Sequence, residues 1–151
     1  MKQRAYPLPV VIALGVEALV ALAHARLILH RTGPDGVLRR NADAAARAAR
    51  RRPPVTGSAA AGGCARIAFA IPRVVPRLPW RADCLVQALA GQAMLLRRGI
   101  AASIVVGTAR RPDGSFEAHA WLVCGDRVIL GGDISRFAPL LDPGSPVNGN
   151  R

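Results

Sequence analysis

The chain has almost no lysine and few aromatic side chains. Of its 21 basic residues, only Lys2 is a lysine, and Phe, Trp and Tyr together make up 4% of the 151 residues. The shortage of rings argues against an aromatic stacking platform for nucleic acid, and no nucleic-acid-binding motif accompanies the arginines. Because 51% of the residues are hydrophobic, disorder over the whole length is excluded and the core must be mainly aliphatic.

Acidic residues are also scarce, with 9 against 21 basic ones and a net charge of +12. Much of the excess lies between residues 39 and 52. Two explanations stay open: the amino-acid usage of a GC-rich genome, or an acidic partner or substrate. We expect no nucleic-acid partner.

Cysteine is limited to Cys64, Cys84 and Cys124, none of them in a CxxC pair. An odd, widely spaced set is a poor disulfide framework and lacks metal-ligand spacing. We therefore expect a reducing, cytoplasmic location, at least one free thiol, and no metal or cofactor.

A long uninterrupted hydrophobic run is missing as well. The apolar stretch from residue 8 to 23 contains Glu17 and is shorter than a clean membrane span. Three interpretations stay open: a helix docked on the domain or on a partner, a membrane-associated helix, or a signal cleaved after Ala21-Leu22-Ala23. We therefore expect a cytoplasmic location and leave membrane association open.

The first part of the chain is predicted to be a helical arm, residues 1–54, made of helices over 10–30 and 37–52 with a turn at 33–36. The composition of residues 55–63 is typical of a linker.

Residues 64–142 are predicted to form a separate core, followed by a frayed tail over 143–151. The core begins with a short helix that Pro72 cuts or kinks. Its later pattern predicts an α+β fold, in which a helix packs on a small antiparallel sheet: a helix over 84–98, then strands over 100–108, 116–124 and 127–130.

Cys84 stands at the predicted first turn of a helix that Asp83 can cap. The positive end of the helix favours a thiolate, which is a strong nucleophile towards a carbonyl carbon. The alternative is a small buried residue, the usual place of a free cysteine.

His119 and Asp133 follow on successive predicted strands. An imidazole can accept the thiol proton, and a carboxylate can hold the imidazole tautomer. The alternation of side chains along the predicted strand 116–124 does not settle on which face of the sheet His119 lies. Each residue also has a structural alternative, a core or edge histidine and a turn aspartate after Gly131-Gly132.

Three motifs carry a family resemblance: residues 78–85 (LPWRADCL), 95–100 (LLRRGI) and 118–121 (AHAW). Together they make residues 78–141 resemble the lasso peptide biosynthesis B2 proteins, which are transglutaminase-like leader peptidases of the papain-like superfamily. Residues 26–34 resemble that family's N-terminal arm only in general terms. Pro72, Pro76 and Cys124 depart from its usual pattern.

The resemblance implies a Cys84–His119–Asp133 triad in a cysteine protease. It also implies a ribosomally made precursor peptide as substrate, a separate B1-type leader-recognition protein and a lasso cyclase that acts afterwards. The alternatives are a transglutaminase-like acyltransferase with the same triad, a non-catalytic peptide-binding module of the same fold, and a membrane-anchored scaffold.

Overall fold

The computed structural model describes residues 6–51 and 55–141. The tail expected after residue 142 lies outside them. The described residues form three α-helices, one 3₁₀ turn and four β-strands, with these bounds: α1 Leu8–Arg51, α2 Gly57–Val74, the 3₁₀ turn Val75–Arg77, α3 Cys84–Leu96, β1 Ser103–Arg110, β2 Phe116–Cys124, β3 Arg127–Leu130 and β4 Ala138–Leu141.

The first helix is bent where the sequence predicts a turn. Gly33 has φ 70° and ψ 169°, outside helical geometry, and Pro34 follows it. Glycine reaches this positive φ without steric cost, whereas proline removes a backbone donor. Residues 8–51 are therefore two helical stretches joined at a kink.

The stretch of α1 before the kink packs on the rest of the molecule. One of its faces is buried, and Leu22 has no exposed surface at all. This face shares one hydrophobic core with α2 and α3; its buried residues are Leu14, Ala18, Ala21, Leu22 and Ala25. The domain boundaries stay a prediction, but this part of the arm contributes directly to the core.

Residues 57–63, which have a linker's composition, are instead helical and form the first turns of α2. Ala59, Ala60 and Ala61 have the best helix propensity, and tertiary packing offsets the cost of the glycines. A Cβ on Gly63 would lie 2.2 Å from Cδ1 of Ile100, so glycine permits this close contact. The helix also continues through Pro72 to Val74 and is not cut there.

The four strands form one antiparallel sheet in the order β3-β2-β1-β4. The predicted strand over 116–124 and the one over 127–130 are confirmed with the same bounds. The short edge strand β4 was not predicted. Pro139 within it is tolerated because an edge strand leaves one side without ladder hydrogen bonds. The predicted α+β fold, a helix on a small antiparallel sheet, is confirmed.

The two faces of the sheet carry different clusters. Helix α3 packs on the face of Leu122, where a Cβ on Gly91 would lie 2.8 Å from Leu122 Cδ2 and 2.7 Å from Leu130 Cδ1. Trp121 and Phe137 form a smaller cluster with Ala109. Because side chains alternate along a strand, this second cluster lies on the opposite face.

One ion-pair cluster ties α1 to the end of α3. The carboxylate of Glu17 accepts two hydrogen bonds from the Arg98 guanidinium and one, at 3.2 Å, from Arg97. The bidentate Arg98 contact, opposed by partial burial and supported by Arg97, lowers the pKa of Glu17 below its ordinary value of 4.5. The acidic interruption of the apolar run is therefore a tertiary contact.

We expect Glu17→Gln to lower the free energy of unfolding at pH 7 by about 1 kcal/mol, since it removes one charge from a half-buried bidentate pair. Because the folded-state pKa is depressed, the stabilisation is complete above the ordinary pKa and is lost as pH falls through the folded value. Urea unfolding of both proteins at pH 7 and pH 3 measures this. Asp126→Asn, an exposed carboxylate in a turn, is the matched control. An equal difference at both pH values would contradict the ion-pair contribution.

Candidate active site

The N-terminus of α3 is capped by a carboxylate. Asp83 has extended backbone geometry, and its Oδ1 accepts a hydrogen bond from the Val86 backbone N–H at 3.0 Å. The predicted cap is confirmed. Cys84 is the first helical residue and is half-buried. The first N–H groups of a helix have no intrahelical partner, so the backbone around Cys84 offers donors to an anion.

The segment before this helix is held by two side chains. The Gln87 amide donates to the Ala82 carbonyl at 2.8 Å, and the Arg26 guanidinium of α1 donates to the Arg81 carbonyl at 2.7 Å. Gln87 therefore holds the entry into the helix and is not aimed at a reacting group. Arg26 links the position of Cys84 to α1.

His119 lies in the middle of β2, opposite Gly107 of β1. Its Nε2 lies 2.8 Å from the carbonyl oxygen of Gly131. A carbonyl can only accept, so Nε2 carries the proton in the neutral ring and Nδ1 keeps a lone pair. The ring also stacks 4.8 Å from Phe137 and 6.2 Å from Trp121. Packing and one hydrogen bond thus orient an imidazole whose free nitrogen is Nδ1.

Sequence reasoning missed Gly131 as the partner of His119. Gly131 has φ 125°, and a Cβ there would lie 2.3 Å from Cβ of Trp121. Only glycine allows the backbone to pass this close to the tryptophan and present its carbonyl to the imidazole. The Gly-Gly pair before Asp133 was the available signal.

Asp133 is exposed, and its Oδ1 accepts a hydrogen bond from the Ser135 backbone N–H at 2.9 Å. The hydrogen bonds from Ser135 lower the pKa of this carboxyl, and Arg136 adds to the effect. The carboxylate closes the turn after β3 and is not hydrogen-bonded to His119. Within the described residues, the imidazole acceptor is a backbone carbonyl.

No hydrogen bond joins the Cys84 thiol to His119 in the described part of the chain. Alternation along β2 puts His119 on the face of Trp121, whereas the body of α3 packs on the face of Leu122. Among the described residues, Cys84, His119 and Asp133 do not form a hydrogen-bonded triad.

A cavity of about 540 Å³ lies between α1 and the capped end of α3. Trp80 and Asp83 border it from the segment before α3, and Arg26 and His30 border it from α1. The Trp80 indole Nε1 is buried and has no hydrogen-bond acceptor among the described residues. Trp121, by contrast, is a core residue of the second cluster.

Within residues 6–51 and 55–141, no group of three or more His, Cys, Asp or Glu side chains could hold a metal ion.

The segment Leu8–Pro34 of α1 is long and apolar enough to cross a membrane, with a mean hydropathy of 2.0 in its most apolar window. Only 28% of that window is buried. The outward side chains include Ile12, Val16 and Val20, so both a membrane-associated and a soluble protein are compatible with this helix.

Residues 19–142 match the family model of the transglutaminase-like superfamily. No curated protein and no solved structure matches the chain. The matched range includes Cys84, His119 and Asp133, and it begins inside α1. Because the match covers most of the chain, this protein belongs to the transglutaminase-like superfamily.

Proposed function

We propose that the protein is a cysteine peptidase that removes the leader from a ribosomally made lasso-peptide precursor. Membership in a superfamily of cysteine peptidases and acyltransferases supports this proposal, and the resemblance of residues 78–141 to B2 leader peptidases gives the substrate. Two observations carry it: Cys84 stands at a capped helix start, and Nδ1 of His119 has no hydrogen-bond partner among the described residues.

In the proposed reaction, Nδ1 of His119 takes the proton of the Cys84 thiol, and the thiolate attacks the carbonyl carbon of the scissile peptide bond. The backbone N–H at the start of α3 stabilises the oxyanion. The C–N bond then breaks as His119 returns the proton to the departing amine. Water hydrolyses the thioester and releases the leader with a free carboxylate.

The proposed chemistry needs the two side chains to meet. Catalytic hydrogen bonds are often long or unformed before substrate binds and tighten in the bound complex. Arg26 of α1 donates to the carbonyl of Arg81, three residues before Cys84. A shift of α1 would therefore move the start of α3, and we propose α1 as the element that brings Cys84 towards His119 when precursor binds.

The proposed partners are the precursor peptide, a B1-type recognition protein that binds the leader, and a lasso cyclase that closes the freed core. The candidate docking regions are the outward apolar side of α1 before the kink and the arginine-rich segment 37–52, the latter proposed from its sequence. Support comes from the exposed side chains of α1, namely Leu8, Ile12, Val16, Leu19, Val20 and Leu27, and from the excess of arginine, which suits an acidic leader.

We expect Cys84→Ala to reduce precursor cleavage by at least about 10³-fold, because it removes the nucleophile. Mass spectrometry of precursor incubated with enzyme and recognition protein measures the products. Cys124→Ser is the matched control and should retain cleavage. The same assay without recognition protein should be slower.

Free leader acid identifies hydrolysis, whereas an isopeptide-linked product identifies acyl transfer. Cleavage by folded Cys84→Ala at the wild-type rate would refute the proposed nucleophile. Circular dichroism of each variant establishes that it is folded.

We propose that Asp133 acts as a positioning residue, holding the turn that presents the Gly131 carbonyl to His119. Asparagine keeps an oxygen for the Ser135 N–H, so Asp133→Asn should retain kcat within about threefold. Asp133→Ala loses this hydrogen bond and should lower kcat by about tenfold.

The pH profile of kcat separates this function from a direct carboxylate–imidazole pair. If the Asp133 charge stabilises the imidazolium, Asp133→Asn should be as defective as Asp133→Ala and shift the profile. If the carboxylate only closes the turn, the asparagine variant should keep the wild-type profile.

The cavity beside Trp80 is proposed to hold the leader next to the scissile bond. A buried indole N–H without an acceptor is costly, and a turn of the Trp80 ring that exposes this N–H to the cavity would let a main-chain carbonyl of an extended peptide accept from it. Trp80→Phe keeps the aromatic ring and removes the donor. We therefore expect KM for the precursor to rise about three- to tenfold with a smaller change in kcat. Steady-state kinetics measures this, with Trp121→Phe as the control that should instead lower thermal stability.

A non-catalytic peptide-binding module is the second candidate. The observation that favours it is that His119 shares a sheet face with Trp121 and is not hydrogen-bonded to Cys84. For such a module, precursor binding would be unaffected by Cys84→Ala, and no product would form with any variant.

A further inference from the structure

Two of the three cysteines meet in the tertiary structure, away from the candidate active site. Cys64 belongs to α2 and Cys124 is the last residue of β2, and their Sγ atoms lie 2.8 Å apart. Both are free thiols here. A disulfide bond is about 2.05 Å long, so the sulfurs need to move by less than 1 Å to form one.

The two thiols differ in access. Cys64 is 6% exposed and is part of the main core, whereas Cys124 is half-buried. Both border a cavity of about 460 Å³, lined on one side by Gly57 and Ala61 of α2 and on the other by Arg127. A small molecule can therefore reach Cys124 first, with Cys64 directly behind it.

We propose that Cys64 and Cys124 form a reversible disulfide when the protein meets a small-molecule disulfide such as glutathione disulfide. The Cys124 thiolate attacks one sulfur of the oxidant and expels one glutathione thiolate. Cys64 then loses its proton and attacks Cys124 Sγ, which expels the second glutathione. The two cysteines lose two electrons and two protons in total, and glutathione disulfide gains them and becomes two glutathione thiols.

The order of attack follows from the surroundings of the thiols. Burial and the hydrogen bond to Cys124 raise the pKa of Cys64 to about 12, so Cys64 is almost entirely protonated near neutral pH and is a poor first attacker. Burial, the larger cause, persists once Cys124 is modified. The ring-closing second step should therefore quicken as pH rises between 7 and 9.

The disulfide would join α2 covalently to the end of β2 and leave Cys84 as the only free thiol. This inference does not depend on the proposed peptidase function, since it needs no substrate and no contact with His119. It also differs from the sequence expectation, in which three widely spaced cysteines made a poor disulfide framework.

The test is to incubate the full-length protein with glutathione disulfide and measure intact mass and non-reduced proteolytic peptides. We expect the intact mass of Cys84→Ala to fall by two hydrogens, the peptide maps of wild type and Cys84→Ala alike to show Cys64 and Cys124 in one linked peptide, and dithiothreitol to reverse this. Cys64→Ser should instead accumulate one glutathione on Cys124, and Cys124→Ser should leave Cys64 unmodified.

An unchanged mass of Cys84→Ala, a wild-type peptide map without the Cys64–Cys124 link, a protein disulfide that joins Cys84 to another cysteine, or a stable glutathione adduct on wild-type Cys124 would each overturn the proposal. The peptide map of wild type needs no substitution, so the test still decides if a serine variant fails to fold.

Discussion

The close contact between α3 and the sheet at Gly91 is the constraint on which the other elements depend. A side chain at this position would overlap Leu122 and Leu130, so the helix axis can approach the strands only because the residue is glycine. Met94 and Leu95, one turn later, have no exposed surface. Tight packing of this kind tolerates little displacement, and it fixes the direction in which the capped start of α3 projects.

Helix α1 lies against the other side of α3. It has two apolar faces, of which one is buried and the other is exposed. One face, around Leu22, completes the core, and the other, around Ile12 and Val16, stays exposed. Glu17 lies between them and pairs with Arg98. The same helix therefore stabilises the fold and leaves an unusually apolar surface, which a partner protein or a lipid surface could cover.

The candidate chemistry depends on backbone groups as much as on side chains. The start of α3 supplies N–H donors around Cys84, and the chain after β3 supplies the carbonyl that accepts from His119. A sequence motif does not identify such groups, because every residue carries them. The motif instead predicts a carboxylate after the histidine, which is Asp133. The physical reason for the difference is Gly131, whose positive φ brings a carbonyl to the ring before the chain reaches the aspartate.

The sequence by itself determined the α+β class, the Asp83 cap and two of the strands, because these follow from local periodicity and capping. It also indicated the break at Gly33, since glycine reaches a positive φ easily and the residue before a proline disfavours helical geometry. Only the tertiary structure decided that residues 57–63 are helical, that β4 joins the sheet edge, and that Cys64 meets Cys124. These features depend on contacts between residues far apart in the chain, and no local pattern encodes such distances.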